Sequence, residues 1–289
     1  MENNKMEKKS LSLLSVRNLS KNYPGFRLND LSFDLREGMI TGFIGRNGAG
    51  KTTTINSILS FVRPDGGEVL FRGQPFEEAE QKIKEKIGFV SAGMTYYTRK
   101  TLKQITGVTR TFYPEWDDAV CQKYMQRFGL SEEKKPAELS NGMKIKYAMV
   151  LALSHGAELF ILDEPTSGLD PISREELVEI FLQLKDAGKT ILFSTHITSD
   201  LEKCADRILF IQQGTLKADD SLDDFRRGWR LIEVPGSVPA ELQALSRGLC
   251  RVRDGFTVLV PREAASGYES REPSLEEIMI HLEKEAEEA

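Results

Sequence analysis

The chain has 289 residues, of which 39 are Lys or Arg and 44 are Asp or Glu, so its formal net charge is −5. This composition is typical of a folded globular protein and excludes a disordered, collagenous or disulfide-stapled chain. The negative charge disfavours nucleic acid as a partner, because phosphate backbones bind basic surfaces. The length fits one large domain, or one with a small appendage.

Neither a membrane span nor a secretory signal is predicted. No apolar run approaches the ~20 residues that cross a bilayer, and the first ten residues are charged with no hydrophobic stretch behind them. The three cysteines lie far apart without a CxxC spacing, which favours a reducing compartment and no zinc site. We expect a cytoplasmic protein with a flexible tail over residues 1–13.

The N-terminal part of the chain alternates apolar and polar residues. Val16–Leu19 and Leu28–Leu35 lie on either side of Tyr23-Pro24-Gly25, which predicts a pair of antiparallel strands. A short apolar strand is then predicted to lead through a glycine loop into a helix. The elements predicted after the hairpin are the strand Met39–Ile44, the helix Lys51–Val62 and the strands Glu68–Phe71 and Ile87–Val90.

The middle of the chain, from about residue 100 to 155, is predicted to be mainly helical. Within Asp117–Phe128, apolar residues recur at helical spacing on one face. From Leu159 onward, short apolar strands alternate with helices, which predicts a parallel sheet covered on both faces. These strands are Leu159–Leu162, Thr190–Ser194 and Ile208–Ile211, and the helices are Ser173–Lys185 and Ser199–Ala205.

An acidic patch after Gly214 marks a predicted boundary; its members are Asp219, Asp220, Asp223 and Asp224. Beyond it, Trp229–Val234 and Phe256–Val260 are predicted strands of a small tail domain. Ser274–Glu288 is predicted as a capped helix.

Residues 45–52 match the phosphate-binding pattern G-x-x-x-x-G-K-[ST], between a predicted strand and a predicted helix. Glycines let the backbone approach a polyphosphate closely, and the amides and helix N-terminus attract its charge. Lys51 is expected to reach the β- and γ-phosphates, and the Thr52 hydroxyl to ligand Mg²⁺. The predicted nucleotide-binding residues of this loop are Gly45, Asn47, Gly48, Ala49, Gly50, Lys51, Thr52 and Thr53.

The apolar strand Leu159–Leu162 ends in two carboxylates, Asp163 and Glu164. Alone, such a pair is more often a solvated turn or a helix cap. After a phosphate loop in the same chain, it indicates an acid placed beside the metal and the phosphates. Asp163 is expected to hold Mg²⁺ through water, and Glu164 to polarise the attacking water as a general base.

These motifs and the ones that follow make residues 14–216 resemble the nucleotide-binding subunits of ATP-binding cassette (ABC) transporters. Leu-Ser-Asn-Gly-Met at 139–143 is similar to the family signature, usually written Leu-Ser-Gly-Gly-Gln. In the family, this helix N-terminus faces the γ-phosphate of ATP held by the other subunit. The resemblance therefore implies that Ser140 and the amide of Gly142 bind in trans, whereas without it Ser140 is a plain helix cap.

Three further residues carry roles implied by the resemblance. Asp170 matches the dimer-interface loop and is expected to orient the opposing subunit. His196 matches the switch histidine that contacts the γ-phosphate and the Glu164 side, so Glu164, His196 and Lys51 are the predicted catalytic residues. Tyr23 matches the aromatic residue that stacks on adenine.

Two places depart from the family pattern. Asn141 and Met143 differ from the signature, but Ser140 and Gly142 keep its hydroxyl and its close-approach amide, so binding in trans is expected to survive. Ala92 stands where the family normally has a glutamine, sometimes a glutamate, that links the metal and water to the membrane subunit. An alanine side chain can contact neither the metal nor the water through a polar group, which implies an altered coupling route and slower hydrolysis.

The resemblance implies an α/β phosphate-loop NTPase, the ABC ATPase, with a mixed sheet core, an antiparallel β subdomain, a helical subdomain and a small C-terminal α+β accessory region. The predicted ABC ATPase domain covers residues 14–220, with the helical subdomain at about 95–155, and the accessory domain covers 221–289. ATP and Mg²⁺ are the implied cofactors.

The implied function is to bind and hydrolyse ATP, closing head to tail with a second copy or a homologous subunit, and so to power a transporter, by resemblance an exporter. The expected partner is a separate transmembrane subunit. This chain is expected at the inner face of the cell membrane, with no insertion into the membrane and no nucleic-acid partner. Thr95-Tyr96-Tyr97 and Thr111-Phe112-Tyr113 are candidate docking residues, with the core of the helical subdomain as their alternative.

Two other functions stay open. One is a soluble cassette ATPase of translation or DNA repair, which usually carries two cassettes or a long coiled coil between loop and signature; the short separation of Lys51 from Leu139 leaves no room for that coil. The other is a regulatory ATP-binding module with little hydrolysis, motivated by Ala92 and the altered signature.

Overall fold

A computed structural model of the protein describes residues 12–92 and 97–288. In chain order, the strands of the described residues are β1 (Ser12–Tyr23), β2 (Phe26–Arg36), β3 (Ile40–Ile44), β4 (Gly66–Phe71), β5 (Gln74–Pro75), β6 (Ile87–Ser91), β7 (Leu159–Asp163), β8 (Thr190–Ser194), β9 (Arg207–Gln212), β10 (Thr215–Ser221), β11 (Trp229–Pro235), β12 (Leu249–Val252) and β13 (Gly255–Pro261). The α-helices are α1 (Lys51–Ile58), α2 (Glu80–Lys84), α3 (Leu102–Arg110), α4 (Asp118–Arg127), α5 (Asn141–Leu153), α6 (Pro171–Asp186), α7 (Thr198–Cys204), α8 (Leu222–Arg227), α9 (Ala240–Leu245) and α10 (Leu275–Glu288).

The central sheet has the strand order β10-β9-β3-β8-β7-β6. Its strands are parallel except for β10, which runs antiparallel to β9. Alternate residues of each parallel strand enter two different cores: Phe160 and Leu162 pack with the helical segments, and Leu159 and Ile161 pack on the opposite face. Burial on both faces explains the unbroken apolar runs of these strands.

The opposite face is covered by an antiparallel sheet of order β2-β1-β4-β5 and by α1. The predicted hairpin is confirmed, since β1 and β2 pair antiparallel across the turn at Pro24 and Gly25. β1 begins at Ser12, inside the predicted tail, and Leu13 is buried in this second core; residues 1–11 of that tail lie outside the described residues.

Helix α1 ends at Ile58, four residues before the predicted end at Val62. Ser60 adopts a left-handed backbone conformation with φ of 56°, and the amides of Phe61 and Val62 both donate to the carbonyl of Asn56. The chain therefore turns out of the helix without the glycine that commonly marks such an end.

The acidic patch lies in a strand and a helix that the sequence pattern did not predict. Asp219 and Asp220 belong to β10 and pair with Leu209 and Ile208 of β9. An edge strand tolerates charged residues because one of its sides faces solvent. Beyond it, β11-β13-β12 form a small antiparallel sheet. Leu231 of β11 and Leu275 and Ile278 of α10 join the larger core, so the accessory region packs on the central sheet.

The turn between β9 and β10 joins three segments of the chain. The Gly214 amide donates to the Ala49 carbonyl at 2.9 Å, and the Gly214 carbonyl accepts from the Asn29 amide at 2.8 Å. A Cβ on Gly214 would lie 1.8 Å from the Arg27 carbonyl oxygen, whereas a Cβ on Gly188, with nearly the same φ, would meet nothing within 4 Å. Both glycines adopt a positive φ, but of the two only Gly214 also lies too close to a neighbouring backbone segment to accept a Cβ.

The pair Gly214→Ala and Gly188→Ala separates these two effects. Gly188→Ala is expected to cost about 1 kcal/mol of unfolding free energy, for the left-handed conformation alone. Gly214→Ala is expected to cost a further ~1–3 kcal/mol, because the backbone segments must move apart. Urea unfolding of both variants measures the difference, and equal losses would contradict the close packing of this turn.

Candidate active site

The loop between β3 and α1 is built around three glycines with positive φ. A Cβ on Gly45 would lie 2.2 Å from the carbonyl oxygen of Ile211, and a Cβ on Gly50 would lie 2.7 Å from Leu28 Cδ2. Gly48 has open space around it, but its φ of 85° favours glycine. The predicted strand, glycine loop and helix are therefore confirmed, and the loop packs tightly against the end of β9.

Lys51 occupies the centre of this loop and is only 6% exposed. Its Nζ donates to the Gly45 carbonyl at 2.6 Å and to the Arg46 carbonyl at 3.3 Å, and lies 3.8 Å from Glu164 Oε1. Burial lowers the pKa of Lys51, while the carboxylates of Glu164 and Asp163 oppose that shift. The loop thus encloses a lysine ammonium beside two carboxylates.

Asp163 ends β7 and is buried beside α1. Thr52 Oγ1 donates to Asp163 Oδ2 at 3.0 Å, and Ser194 Oγ donates to Asp163 Oδ1 at 2.6 Å. A carboxylate and a hydroxyl are the oxygen ligands that Mg²⁺ accepts, with water and phosphate completing its shell. The Thr52 hydroxyl and the Asp163 carboxylate therefore fit a magnesium ion. Among the described residues, no cluster of three or more His, Cys, Asp or Glu could hold a metal ion.

Glu164 has a left-handed backbone conformation, with φ of 54°. Its amide donates to the Ser194 carbonyl at 3.0 Å and approaches Ser194 Oγ at 3.2 Å, which ties the residue to the neighbouring strand β8. Its Oε2 is 2.7 Å from His196 Nδ1, in a hydrogen bond. A left-handed residue other than glycine is strained, and here the strained backbone directs the carboxylate between Lys51 and His196. These three predicted catalytic residues therefore converge.

A pocket of about 440 Å³ opens over the loop. Its lining consists of Gly25, Phe26, Asn47, Gly48, Gly50, Lys51, Thr52, Thr53 and Glu164. Gly45 and Ala49 lie in the same loop but face the end of β9, where Ala49 accepts the bond from Gly214.

The aromatic residue in this lining is Phe26, which the sequence analysis missed. The Phe26 ring packs on Gly50, since a Cβ there would lie 2.9 Å from its Cζ. Tyr23 lies outside the lining, 41% exposed, with the Lys21 ammonium 5.7 Å from its ring centre. An aromatic residue directly after the Pro-Gly turn was the signal available in the sequence, and the assignment of Tyr23 to adenine stays a prediction.

Ser140 and Gly142 begin α5, away from this pocket lining. Ser140 Oγ accepts from the Met143 amide at 3.2 Å, so in a single copy it is a helix cap. A Cβ on Gly142 would lie 2.8 Å from Leu169 Cδ2, which places the first turn of α5 against the loop that leads to Asp170.

Asp170 is likewise a helix cap in a single copy. Its Oδ1 accepts from the amides of Ile172 and Ser173 at the start of α6, both at 3.0 Å. These bonds, with that from the Ser173 backbone largest, lower the pKa of Asp170. The expected roles of Ser140, Gly142 and Asp170 in trans stay predictions.

Ala92 follows β6 directly beside the acidic strand end. Its amide donates to the Asp163 carbonyl at 3.2 Å, and its methyl group is exposed. The next four residues, 93–96, lie outside the described residues. Position 92 thus offers no polar side chain.

A strand, a glycine loop and a helix around a buried lysine, beside a strand-end aspartate, define a phosphate-loop nucleotide-binding domain. Comparison with known proteins narrows this class. The family described as "ABC transporter" matches residues 28–167. The chain is 32% identical to the Nod factor export ATP-binding protein I of Burkholderia orbicola, in an alignment that covers 81% of this chain and 80% of that protein. It is 31% identical to the bacitracin transport ATP-binding protein BcrA of Bacillus licheniformis, in an alignment that covers 75% of this chain and 72% of that protein.

The fold is similar to that of a solved ATP-binding subunit of an ABC transporter, with a TM-score of 0.69 and 30% sequence identity. The superposition covers 75% of this chain and 92% of that subunit. The chain belongs to the ABC transporter ATP-binding proteins, and its cassette is an ATPase domain. The predicted fold class is confirmed. Within the described part of the chain, no helix has the length and apolar character of a membrane span.

Replacing Lys51 by alanine tests the nucleotide pocket. Because Lys51 is the ammonium enclosed by the loop, we expect the affinity for ATP to fall by a factor of about 10–100, the usual effect of losing a charged hydrogen bond. Fluorescent ATP-analogue binding gives the dissociation constant, with Lys82→Ala on the exposed surface of α2 as the control. Equal affinities in the two variants would contradict the assignment.

Proposed function

We propose that this chain hydrolyses Mg-ATP between two cassettes to power export through a separate membrane subunit. The observation that carries the hydrolytic part is the Glu164 carboxylate held between Lys51 and His196 by a left-handed backbone. A general base must lie within reach of the water that attacks the γ-phosphate, and orientation of the base before the substrate binds lowers the cost of reorganisation.

Different residues of the site are proposed to bind the phosphates, to hold the metal and to accept the proton. Lys51 and the loop amides would bind the β- and γ-phosphates, and Thr52 and Asp163, which share a hydrogen bond, would hold Mg²⁺. The metal, when bound, neutralises charge that develops on the phosphates. Glu164 accepts a proton from the attacking water, and the hydrogen bond from His196 fixes the orientation of its carboxylate.

The start of α5 lies outside the pocket of its own copy, which supports the proposal that it completes the site of a second copy. Helix α5 has thirteen residues, and its first turn presents amides and the Ser140 hydroxyl at an exposed N-terminus. Such a terminus attracts anions. We infer that Ser140 and Gly142 of one copy bind the γ-phosphate held by the other, with Asp170 orienting the interface.

The membrane partner is inferred to dock on the helical segment. Tyr97, Val108 and Phe112 are 78%, 59% and 68% exposed, which is unusual for large apolar side chains and typical of an interaction surface. Of the other candidate docking residues, Thr95 and Tyr96 lie outside the described residues. Tyr113 stacks on His155 with ring centres 4.0 Å apart, so it contributes to internal packing.

Export is supported by the similarity to a protein named for Nod factor export. The second relative is named for bacitracin transport, so proteins of similar sequence are associated with different cargoes. We propose a cytoplasmic location at the inner face of the membrane, where the cassette would contact its membrane subunit.

A regulatory ATP-binding module with little hydrolysis remains the second candidate, and Ala92 favours it. The exposed methyl group next to Asp163 can position neither water nor metal. The convergence of Glu164, Lys51 and His196 favours the hydrolytic function, because a module that only binds ATP needs no oriented base.

Glu164→Gln distinguishes these two functions. The amide keeps the shape of the side chain but cannot accept the proton, so we expect steady-state turnover to fall by a factor of about 10²–10⁴. Binding of ATP should persist, and dimers should accumulate. Glu175→Gln, on the exposed face of α6, is the control. Unchanged turnover in Glu164→Gln, or a wild type inactive even with its membrane partner, would contradict the hydrolytic function.

Ser140→Arg tests binding in trans. The large side chain should leave ATP binding to the monomer intact but block ATP-driven dimerisation, as measured by light scattering. Ser221→Arg is a matched control, because Ser221 also caps a helix, with its Oγ accepting from the Asp224 amide at 3.0 Å. Normal dimerisation of Ser140→Arg would show that Ser140 is only a cap.

A further inference from the structure

His196 lies in the short connection between strand β8 and helix α7, which consists of residues 195–197. Within this connection, the Ile197 amide donates to Thr195 Oγ1 at 2.9 Å. The His196 imidazole extends to the Glu164 carboxylate, with 2.7 Å between Nδ1 and Oε2. The position of the imidazole therefore depends on how the two ends of the connection are held.

The two ends are held differently. At the strand end, the Thr195 amide donates to the Phe43 carbonyl of β3 at 3.3 Å. At the helix end, Ile197 begins α7 without a capping side-chain hydrogen bond, and a helix of seven residues is not stable by itself. Leu201 is fully buried, and a Cβ on Gly42 would lie 2.8 Å from its Cδ2, so it anchors α7 on the central sheet. Apolar burial is not directional, so this contact alone does not orient the first turn of α7.

Arg174 supplies a directional contact to the first turn of α7. Its Nη2 donates to Asp200 Oδ1 at 2.7 Å, and its Nε donates to Asp200 Oδ2 at 3.3 Å. Its Nη2 also donates to Ser199 Oγ at 3.3 Å. Asp200 is only 2% exposed, and a buried carboxylate needs a compensating charge. The planar fork of the guanidinium fixes the direction of such a pair as well as its distance.

The same turn of α6 begins at the proposed interface residue Asp170. The Arg174 amide donates to the Asp170 carbonyl at 3.0 Å, which closes the first turn of α6. Asp170 is therefore one helical turn from the guanidinium that holds Asp200. A single side chain thus connects the start of α6 to the helix that follows His196.

We propose that Arg174 is a positioning residue, which holds His196 against Glu164 by fixing the first turn of α7 to the first turn of α6. Arg174 is not part of the lining of the pocket over the phosphate loop, and it acts through the backbone between Asp200 and His196. The helix that begins at Asp170 thereby also sets the position of the imidazole. This inference rests on the catalytic roles proposed for Glu164 and His196.

Arg174→Lys tests this role, because the ammonium keeps the charge that Asp200 needs but cannot form the two-armed contact. We expect kcat to fall about tenfold, since a small displacement of a catalytic group slows the reaction. The KM for ATP should change by less than about twofold, because the phosphate loop is not altered.

Arg127→Lys is the matched control for the kinetic measurement. It makes the same change at an arginine that also pairs with α6, through Glu176 and Glu179, and that is 27% exposed against 25% for Arg174. This control should keep the wild-type kcat. Equal kcat values for Arg174→Lys and Arg127→Lys, or a raised KM with an unchanged kcat in Arg174→Lys, would overturn the proposal.

Histidine NMR gives a second readout, which does not depend on turnover. The chain has three histidines, and the other two, His155 and His281, are buried. Arg174→Lys should shift the imidazole resonance of His196, assigned with His196→Ala, and leave the other two unchanged. Arg127→Lys should shift none of the three. A fall in kcat without a shift of the His196 resonance would also overturn the proposal, because Arg174 would then act by another route.

Failure of the proposed function has a different signature. Wild-type turnover in His196→Ala, or no turnover of the wild type even with its membrane partner, would contradict the catalytic roles themselves. Turnover that depends on His196 but not on Arg174 would overturn only the role of Arg174.

Discussion

The buried ammonium of Lys51 is the constraint on which the rest of the site depends. A desolvated positive charge needs oxygen partners, and the Gly45 and Arg46 carbonyls supply them by closing the loop around it. That closure is possible because glycine at position 45 lets the loop rest on the end of β9. The ends of β7 and β8 bring Asp163 and Ser194 to the same edge of the central sheet, where Ser194 donates a hydrogen bond to Asp163.

Each copy holds one group of the predicted site residues in its own pocket and another group outside that pocket. Lys51, Glu164 and His196 converge in one copy, whereas Ser140, Gly142 and Asp170 cap or begin helices outside that pocket. A Cβ on Gly142 would lie 2.8 Å from Leu169 Cδ2, so the start of α5 and the loop before α6 are adjacent. On the proposed mechanism, ATP joins the two groups, and hydrolysis separates them again.

Local patterns predicted that the phosphate loop and the strand-end carboxylates lie together, because these residues follow strand ends at short spacing. The loop at 45–52, Asp163 and Glu164 could be located in this way, since parallel strands end at a common edge, whereas His196 was assigned through the resemblance to the family. The positions that escaped prediction depend on distant packing. Whether Tyr23 or Phe26 faces the pocket is set by how the hairpin lies on Gly50, and β10 was hidden by acidic residues that an edge strand tolerates.

The structure of the ATP-loaded chain, with Glu164 replaced by glutamine to trap it, tests the central claim most directly. The account predicts two copies related by a twofold axis, with the phosphates between Lys51 of one copy and the Ser140 helix tip of the other. A nucleotide enclosed by one copy alone, or a dimer in which Ser140 faces solvent, would contradict it.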